Sequence, residues 1–358
     1  MAKLDGLLEK MVEAGASDLH LSAGEPIRMR VDGELRRVAK KPLGKDRLAD
    51  LMKEICREDQ WRAFDESMEL DFAYGVKGVG RFRCNYLRQL RGPGAVFRML
   101  PEDIQSLEDL KMPEAVLEVP KLRTGLVLVT GPTGSGKSTT LAAMIDRINR
   151  KASLHIVTIE DPIEFVHRDI KSHIVQREIG LHSPGFADAL RDALLQDPDV
   201  VLVGELRDLE TISLAVTAAE MGVLIFGTLH TNSAAKTFDR IIDVFPPKQK
   251  DQIRGMLAES LRAIVAQTLL RRAGGKGRIA AIEVLLGGTG LANIIREGNA
   301  SKILSYIESG RGRGMQTMDE ALTVLVQAGT VDVREAYLKC HDKNRFETWA
   351  EGQGLSLE

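Results

Sequence analysis

The chain has 358 residues, a length that predicts two domains at about 150 residues per domain. Its 49 lysine and arginine residues nearly balance its 51 aspartate and glutamate residues, so the chain has no strong excess positive charge to hold a nucleic acid backbone, and only a local basic groove stays open. The cysteines Cys56, Cys84 and Cys340 form no C-x-x-C pair, which argues against a zinc ribbon or a disulfide framework and favours a cytoplasmic protein. Since no run reaches the roughly 18 apolar residues of a membrane span, we expect any membrane association to require a partner.

The first hundred residues predict a small α+β domain. Apolar residues recur at helical spacing over 4–12, and the dipeptide Asp32-Gly33 between two strand-like runs is typical of a β-hairpin. The pattern then predicts a helix at 45–58 and strands at 69–74, 80–86 and 95–100. Because prolines and polar residues follow, we place the N-terminal domain at 1–105 and a linker at 106–123.

The remainder of the chain, 124–358, predicts an α/β domain with C-terminal helices. Short runs that are apolar on both faces favour a parallel sheet covered by helices. The predicted strands are 126–130, 156–159, 200–203, 223–227 and 279–285. The predicted helices between them include 138–149, 186–196 and 209–221.

The strongest motif is GPTGSGKS at Gly131–Ser138, which matches G-x-x-x-x-G-K-[ST] between a predicted strand and a predicted helix. Glycines let such a loop point its backbone N–H groups at phosphates, and the helix dipole adds to the attraction. Lys137 would reach the β- and γ-phosphates of ATP, and Ser138 would ligate Mg²⁺. The alternative is a loop that binds nucleotide without hydrolysing it.

Acidic residues and one histidine follow neighbouring predicted strands. Glu205 follows the strand at 200–203, where it could hold Mg²⁺ or activate water. A second acidic group follows the strand at 156–159 and consists of Glu160, Asp161 and Glu164. His230 follows the strand at 223–227 and could sense the γ-phosphate, although a lone histidine is more often structural. Acids at strand ends are also commonly helix caps. The catalytic interpretation of these acids therefore depends on the nearby phosphate loop.

Three arginines lie on predicted strands of the N-terminal domain. Arg81 and Arg83 share one face because side chains alternate along a strand, and Arg98 lies on the next strand. They form either a solvated sheet face or arginine fingers that reach a nucleotide across an interface.

Together these segments resemble the PilT-like type IV pilus retraction ATPases of the secretion ATPase superfamily. The resemblance runs from about Leu4 to about Ala336. Besides the phosphate loop, it rests on four segments in order. They are an Asp box at 156–165, a Walker B segment at 197–208, a His box at 227–237 and a C-terminal signature at 314–319.

The resemblance implies a PAS-like N-terminal domain and a RecA-like P-loop ATPase domain, assembled as a homohexamer. Such a ring would be cytoplasmic and peripheral at the inner membrane, where it turns the pilus platform protein, alone or with a paralogous retraction ATPase. It implies ATP and Mg²⁺ as ligands, no nucleic acid partner, and metal ligation by Ser138 and Glu205. The implied nucleotide-binding residues are Gly131, Thr133, Gly134, Ser135, Gly136, Lys137, Ser138 and Thr139. The implied catalytic residues are Glu205, Glu164, Glu160, Asp161, His230, Arg81, Arg83 and Arg98.

Two positions depart from the family pattern. Ala292 replaces the first arginine of a C-terminal segment tied to retraction, and Val223 stands where the family often has histidine. An accessory retraction paralogue or a related pilus or secretion assembly ATPase is therefore an alternative. Assembly ATPases often carry a paired C-x-x-C element, which this chain lacks.

Two other classes of protein remain open from the sequence. A nucleic-acid motor could share the RecA-like core, because a fold does not settle function. A scaffold that binds ATP only to assemble with an active paralogue would keep the same loop.

Overall fold

The computed structural model describes residues 2–31, 33–275 and 277–357. These residues form two compact units. The first extends to Asp103 and also includes Pro162–Val166, and the second consists of Ile104–Asp161 and the chain from His167 onward. Each unit is described separately.

The first unit is an antiparallel sheet with helices. Its helices are α1 (Asp5–Glu13), α2 (Lys45–Lys53) and α3 (Glu58–Ser67). Its strands are β1 (Asp18–Ser22), β2 (Pro26–Val31), β3 (Glu34–Pro42), β4 (Glu69–Val76), β5 (Gly80–Gln89) and β6 (Gly92–Leu100). The strands lie in the order β3-β2-β1-β6-β5-β4, and neighbouring strands are antiparallel.

One face of this sheet forms the core of the unit. Leu19, Phe97, Cys84 and Phe72 stand side by side on β1, β6, β5 and β4, and all are buried. Side chains from the helices complete this cluster, and Tyr86 makes edge-on contacts with three phenylalanines of it. Because side chains alternate along a strand, the opposite face is left for polar and charged groups.

Most elements predicted for the first unit are confirmed. The two strands flanking the predicted hairpin, β2 and β3, pair antiparallel, whereas Asp32 in its turn lies outside the described residues. The helix predicted at 45–58 ends at Lys53, and α3 was not predicted. This helix begins at Glu58 because Arg57 has an extended backbone and its N–H donates to the Gln60 side chain at 3.1 Å.

The second unit is a mostly parallel sheet with helices on both faces. Its strands are β7 (Gly125–Thr130), β8 (His155–Glu160), β9 (His173–Glu178), β10 (Val200–Val203), β11 (Leu224–Leu229), β12 (Leu261–Arg271) and β13 (Arg278–Leu286). The helices up to the last strand are α4 (Glu114–Glu118), α5 (Lys137–Lys151), α6 (Phe186–Leu194), α7 (Leu209–Glu220), α8 (Ala234–Asp243) and α9 (Lys250–Ser260). The later helices are α10 (Thr289–Glu297), α11 (Lys302–Ser309), α12 (Met318–Gln327), α13 (Val333–Lys339) and α14 (Lys343–Gly352).

The strand order of this sheet is β13-β12-β7-β11-β10-β8-β9. Only the pairing of β12 with β13 is antiparallel within the described residues. Alternate residues of β7 enter different clusters, with Leu126 and Leu128 in one and Val127 and Val129 in the other. The prediction of strands that are apolar on both faces is therefore confirmed for this sheet.

The structure differs from the sequence prediction at three places in this unit. Residues 106–123, predicted to be a linker, contain α4 and bury Leu107, Val116 and Val119 in one of the two clusters, so this stretch is folded into the second unit. Neither β9 nor β12 was predicted. β12 was missed because it follows α9 without an intervening turn and carries Arg262 and Gln267 among its apolar residues.

Tyr86 provides a test of the packing in the first unit. Its buried hydroxyl donates to the Met52 carbonyl oxygen at 2.9 Å. We expect Tyr86→Phe to leave that oxygen unpaired and to destabilise the unit by about 1 kcal/mol. Trp61 fluorescence reports this unit if Trp349, the other tryptophan of the chain, is replaced by phenylalanine.

The matched control is Tyr306→Phe in the second unit, whose hydroxyl accepts a hydrogen bond from Arg313. It should leave the denaturant midpoint reported by Trp61 unchanged. An unchanged midpoint for Tyr86→Phe would show that the buried hydrogen bond contributes nothing.

Candidate functional site

The phosphate-binding loop begins where β7 ends and finishes at the first residues of α5. Three of its glycines have positive φ, with values of 147° at Gly131, 76° at Gly134 and 91° at Gly136. A Cβ at Gly131 would lie 2.2 Å from the Gln267 carbonyl oxygen, so only glycine fits there. Around Gly134 there is open space within 4 Å, which leaves the outer part of the loop accessible.

The side chain of Gln267 on β12 hydrogen-bonds to this loop and to the helix that follows it. No motif in the sequence predicted this role. The Gln267 side-chain amide donates to the Ser135 carbonyl oxygen at 2.7 Å, and its side-chain oxygen accepts from the Thr140 hydroxyl at 3.0 Å. Both bonds are buried. The available signal was a glutamine directly after the apolar run 263–266, because a buried amide must find hydrogen-bond partners.

The start of α5 has the character of an anion-binding site. The helix begins at Lys137, and Gly136 at its N-cap offers no side chain to accept the first-turn N–H groups. The helix dipole also places partial positive charge there. The Lys137 ammonium donates to the Gly131 carbonyl oxygen at 2.8 Å and to that of Pro132 at 3.2 Å, so the cation lies along the loop.

Glu205, Arg207 and His230 form a cluster at the ends of β10 and β11. One oxygen of Glu205, Oε1, lies 2.7 Å from Arg207 Nε and 3.2 Å from His230 Nε2. The two strands meet in register, with Val203 opposite Gly227, which brings the residues after them together. The structure thus joins two of the predicted site residues and adds Arg207.

The charge of Glu205 is set by these neighbours. Burial by itself raises the pKa of Glu205, but the hydrogen bond from Arg207 and the proximity of His230 bring it below its ordinary value. The same pairing raises the pKa of Arg207. Glu205 is therefore ionised at neutral pH, as a metal ligand or a general base must be.

Glu160 and Asp161 stand at the adjacent end of β8. Glu160 Oε1 accepts from the Thr158 hydroxyl at 2.6 Å and from the Gln176 amide at 3.2 Å, so its side chain is held by its own strand and by β9. Asp161 is exposed and acts on Arg207 through its charge. Because β8 and β10 pair in register, both acids lie at the sheet edge that carries Glu205.

The arginines of the first unit lie on its polar face, as predicted. Arg83 stands opposite Arg98 on neighbouring strands, and each is paired with a carboxylate. Arg83 Nε donates to both oxygens of Asp71 at 3.1 and 3.0 Å, and Arg98 Nε donates to Asp18 at 2.8 Å. Burial raises the pKa of Asp18, but hydrogen bonds from Ser17 and Arg98 bring it below its usual value.

Arg81 and Glu164 also belong to the first unit. Arg81 shares the face of Arg83, and its Nη1 is buried without a hydrogen-bond partner among the described residues. Glu164 is half-buried and lies on Pro162–Val166. The second unit by itself therefore brings several predicted site residues to the carboxyl ends of its parallel strands. They are the phosphate loop, Glu205, Glu160, Asp161 and His230.

Replacing Gln267 tests the support of the loop. We expect Gln267→Leu to raise the Kd for ADP about tenfold, because unpaired buried groups at Ser135 and Thr140 loosen the loop by about 1.4 kcal/mol. Isothermal titration measures the affinity. Thr268→Val, which changes the next residue on the other face of β12, should keep the wild-type Kd, and equal affinities for both variants would contradict a role for Gln267.

Comparison with known sequences places these features in a family. The model of the family described as "Type II/IV secretion system protein" matches residues 2–285. A Pseudomonas aeruginosa protein named "Type IV pilus retractation ATPase PilT" is 50% identical over 340 residues, which span 95% of this chain and 98% of that protein. From the same organism, "Type IV pilus ATPase PilU" is 40% identical and covers 96% of this chain and 90% of its own length.

Solved structures agree with the sequence matches. A crystal structure described as the pilus retraction motor PilT with bound ADP superposes with a TM-score of 0.90 at 42% identity, and the match covers 97% of this chain and 99% of that one. The Legionella pneumophila ATPase DotB matches with a TM-score of 0.79 at 30% identity, over 94% of both chains. The chain therefore belongs to the type II/IV secretion system protein family, as an ATPase of its PilT-like group.

Proposed function

We propose that this chain is a motor that hydrolyses ATP to retract a type IV pilus. The observation that carries the proposal is the meeting of a phosphate loop with an ionised Glu205 and His230 at one edge of a parallel sheet. Open α/β sheets bind their ligands at this edge. The names of the relatives PilT and PilU indicate the type IV pilus as the machine on which such an ATPase acts.

Nucleotide binding is assigned to the loop at 131–139. Backbone N–H groups of Gly134, Gly136 and Thr139 would face the phosphates, together with those of the intervening residues. The Lys137 ammonium would leave its two carbonyl acceptors for the β- and γ-phosphate oxygens, which carry full charge. Thr133 and Ser135 complete the loop, with Thr133 exposed and Ser135 buried against Gln267.

The donor set at the site fits Mg²⁺. The Ser138 hydroxyl lies in the first turn of α5, and Glu205 supplies a carboxylate that is ionised at neutral pH. Oxygen ligands of this kind, few in number, are what Mg²⁺ uses when substrate phosphates and waters supply the rest. When bound, the ion would neutralise charge that develops between the β- and γ-phosphates.

The acids of the site would also orient and activate water. The alternatives for the group that would take the proton of the attacking water are Glu205 and Glu164. Glu160 and Asp161 support the site from the end of β8, where Glu160 is fixed by Thr158 and Gln176. His230 contacts Glu205, so a change at the γ-phosphate that moves this carboxylate is transmitted to the His box.

The arginines of the first unit would stabilise transition-state charge. Arg81, Arg83 and Arg98 share one sheet face, and the guanidinium groups of Arg83 and Arg98 are oriented by Asp71 and Asp18. The first unit, assigned to a PAS-like domain at 1–105, would bring this face to a nucleotide on a RecA-like domain at 124–358. Pairing with carboxylates would fix the guanidinium groups of Arg83 and Arg98 before the phosphate arrives.

The working form would be a homohexameric ring in the cytoplasm. Among the described residues, no helix has the length and hydropathy needed to cross a bilayer. The ring would reach the inner membrane by docking onto the pilus platform protein. Ala292 on α10 leaves Arg296 as the arginine of this segment, paired with Glu259. A paralogous retraction ATPase would be an additional partner.

Two variants test the ATPase assignment. We expect Lys137→Ala to abolish ATP turnover, because the phosphates lose their cation. Glu205→Gln should keep nucleotide binding while lowering kcat by about 10²- to 10⁴-fold, the usual effect of removing a general base. Glu210→Gln, an exposed carboxylate on α7, is the control and should retain wild-type kcat.

The same Lys137→Ala variant tests the cellular role. In a strain lacking the gene, the wild-type chain should restore twitching motility and this variant should not. Restoration by the variant, or wild-type phosphate release from it in vitro, would rule out an ATP-driven retraction motor.

A separate prediction concerns Arg98. We expect Arg98→Ala to lower kcat of the assembled protein by about 10³-fold, the lower end of what arginine fingers supply. The fold should persist because the Arg98 side chain is 68% exposed and the buried Asp18 keeps Ser17 and Arg30 as partners. Arg36→Ala, an exposed arginine on β3, is the matched control. If both variants hydrolyse ATP equally fast, Arg98 belongs to a solvated sheet face.

A further inference from the structure

A buried carboxylate in the second unit joins two helices that lie on either side of it. Glu283 on β13 is 2% exposed. Its Oε1 accepts from the backbone N–H of Ala234 at 2.7 Å, and its Oε2 accepts from that of Met318 at 3.3 Å. Ala234 is the first residue of α8 and Met318 is the first residue of α12. One carboxylate therefore accepts a hydrogen bond from the first residue of each helix.

Glu283 can reach the start of α12 because β13 is an edge strand of the sheet. The free side of β13 forms a bridge with Gln316, through a Val284 N–H to Gln316 O bond of 2.9 Å and the reciprocal bond of 3.3 Å. This bridge sets the start of α12 beside Glu283. The register of β12 and β13 places Glu283 opposite Ala266, on the sheet face opposite to that of Gln267.

Each helix also has its own N-cap side chain, which accepts from the N–H of the third helical residue. The Ser233 hydroxyl accepts from Lys236 N at 3.3 Å to cap α8. At α12, Thr317 and Glu320 form a capping box, with bonds of 3.2 Å and 2.9 Å. A carboxylate shared between two capped helices is costly to bury, and burial raises the pKa of Glu283 despite its two N–H donors. Glu283 instead accepts from the first residue of each helix, and so links the two helix starts through one side chain.

The two helices lead to different parts of the second unit. On α8, the Thr237 hydroxyl lies 2.6 Å from that of Thr231, next to His230, and 3.5 Å from that of Thr130, the last residue of β7. The start of α8 is thus tied to the strand ends that carry the site.

On α12, Asp319 accepts from the backbone N–H groups of His341 at 2.7 Å and Asp342 at 2.9 Å. Asp342 is the N-cap of α14. The contacts therefore run from the His box through α8, Glu283 and α12 to the C-terminal helices.

We propose that Glu283 is a positioning residue that couples the His230 loop to the C-terminal helices, so that nucleotide binding is transmitted to α12 and α14. The inference rests on the proposed function, because it requires nucleotide at the loop 131–139. Glu283 would not touch the nucleotide. It acts by holding the starts of α8 and α12 together, so that they move as one.

Hydrogen exchange of the full-length protein, with and without ADP, tests the coupling. In the wild type, ADP should slow exchange in 131–139 and also change exchange in 318–327. Glu283→Gln is nearly isosteric but has only one acceptor, and its amide NH₂ cannot accept from a backbone N–H. It should keep the ADP response at 131–139 and lose the response at 318–327.

Thr317→Ala is the matched control, because it weakens the cap of α12 without removing the shared carboxylate. It should raise exchange in 318–327 overall while keeping the ADP response there. A full response at 318–327 in Glu283→Gln would overturn the proposal, as would a wild type that responds only at 131–139. A wild type with no response at 131–139 would instead overturn the proposed function and the coupling with it.

Kinetics provide a second readout that a purely structural role would not produce. For Glu283→Gln we expect kcat to fall about tenfold with the KM for ATP within about twofold, because the His box is displaced while the phosphate loop is not. Thr317→Ala should change neither constant by more than about twofold. Wild-type kcat for Glu283→Gln would remove the role in positioning His230.

Discussion

The site depends on the in-register parallel pairing of β7, β11, β10 and β8. Parallel strands place their carboxyl ends at one edge, and the residues that follow each strand meet there. Val203 pairs with Gly227 and with Ile159, so the residues after these positions lie side by side. The 3.2 Å contact between Glu205 and His230 is a result of that register, since the two residues are far apart along the chain.

Close backbone approach at the strand ends imposes a second requirement, for glycine. A Cβ at Gly131 would lie 2.2 Å from the Gln267 carbonyl oxygen, one at Gly204 would lie 3.0 Å from that of Ile159, and one at Gly227 would lie 2.7 Å from Leu206. All three positions adjoin the site. Part of the glycine content of the chain is thus explained by the need to bring backbone, acids and a phosphate ligand close together.

Motif and hydrophobic pattern predicted most of the second unit's sheet, because strands that are apolar on both faces are distinctive. They failed at β12, where α9 passes directly into a strand and Gln267 interrupts the apolar run. They failed also at 106–123, where three prolines between 101 and 120 suggested a linker and yet Val116 and Val119 are buried in a core. In both cases packing against neighbouring elements outweighed the local signal.

The amino-acid sequence by itself determined the chemistry: a phosphate loop with Lys137 and Ser138, acids after buried strands, and arginines sharing a strand face. These depend on residue type and spacing, which local rules describe well. Only the tertiary structure decided which groups meet. It paired Glu205 with Arg207 and His230, placed Gln267 under the loop and set Glu283 between two helices. Such contacts join residues far apart in the chain, and their formation depends on strand order and register, which no local pattern encodes.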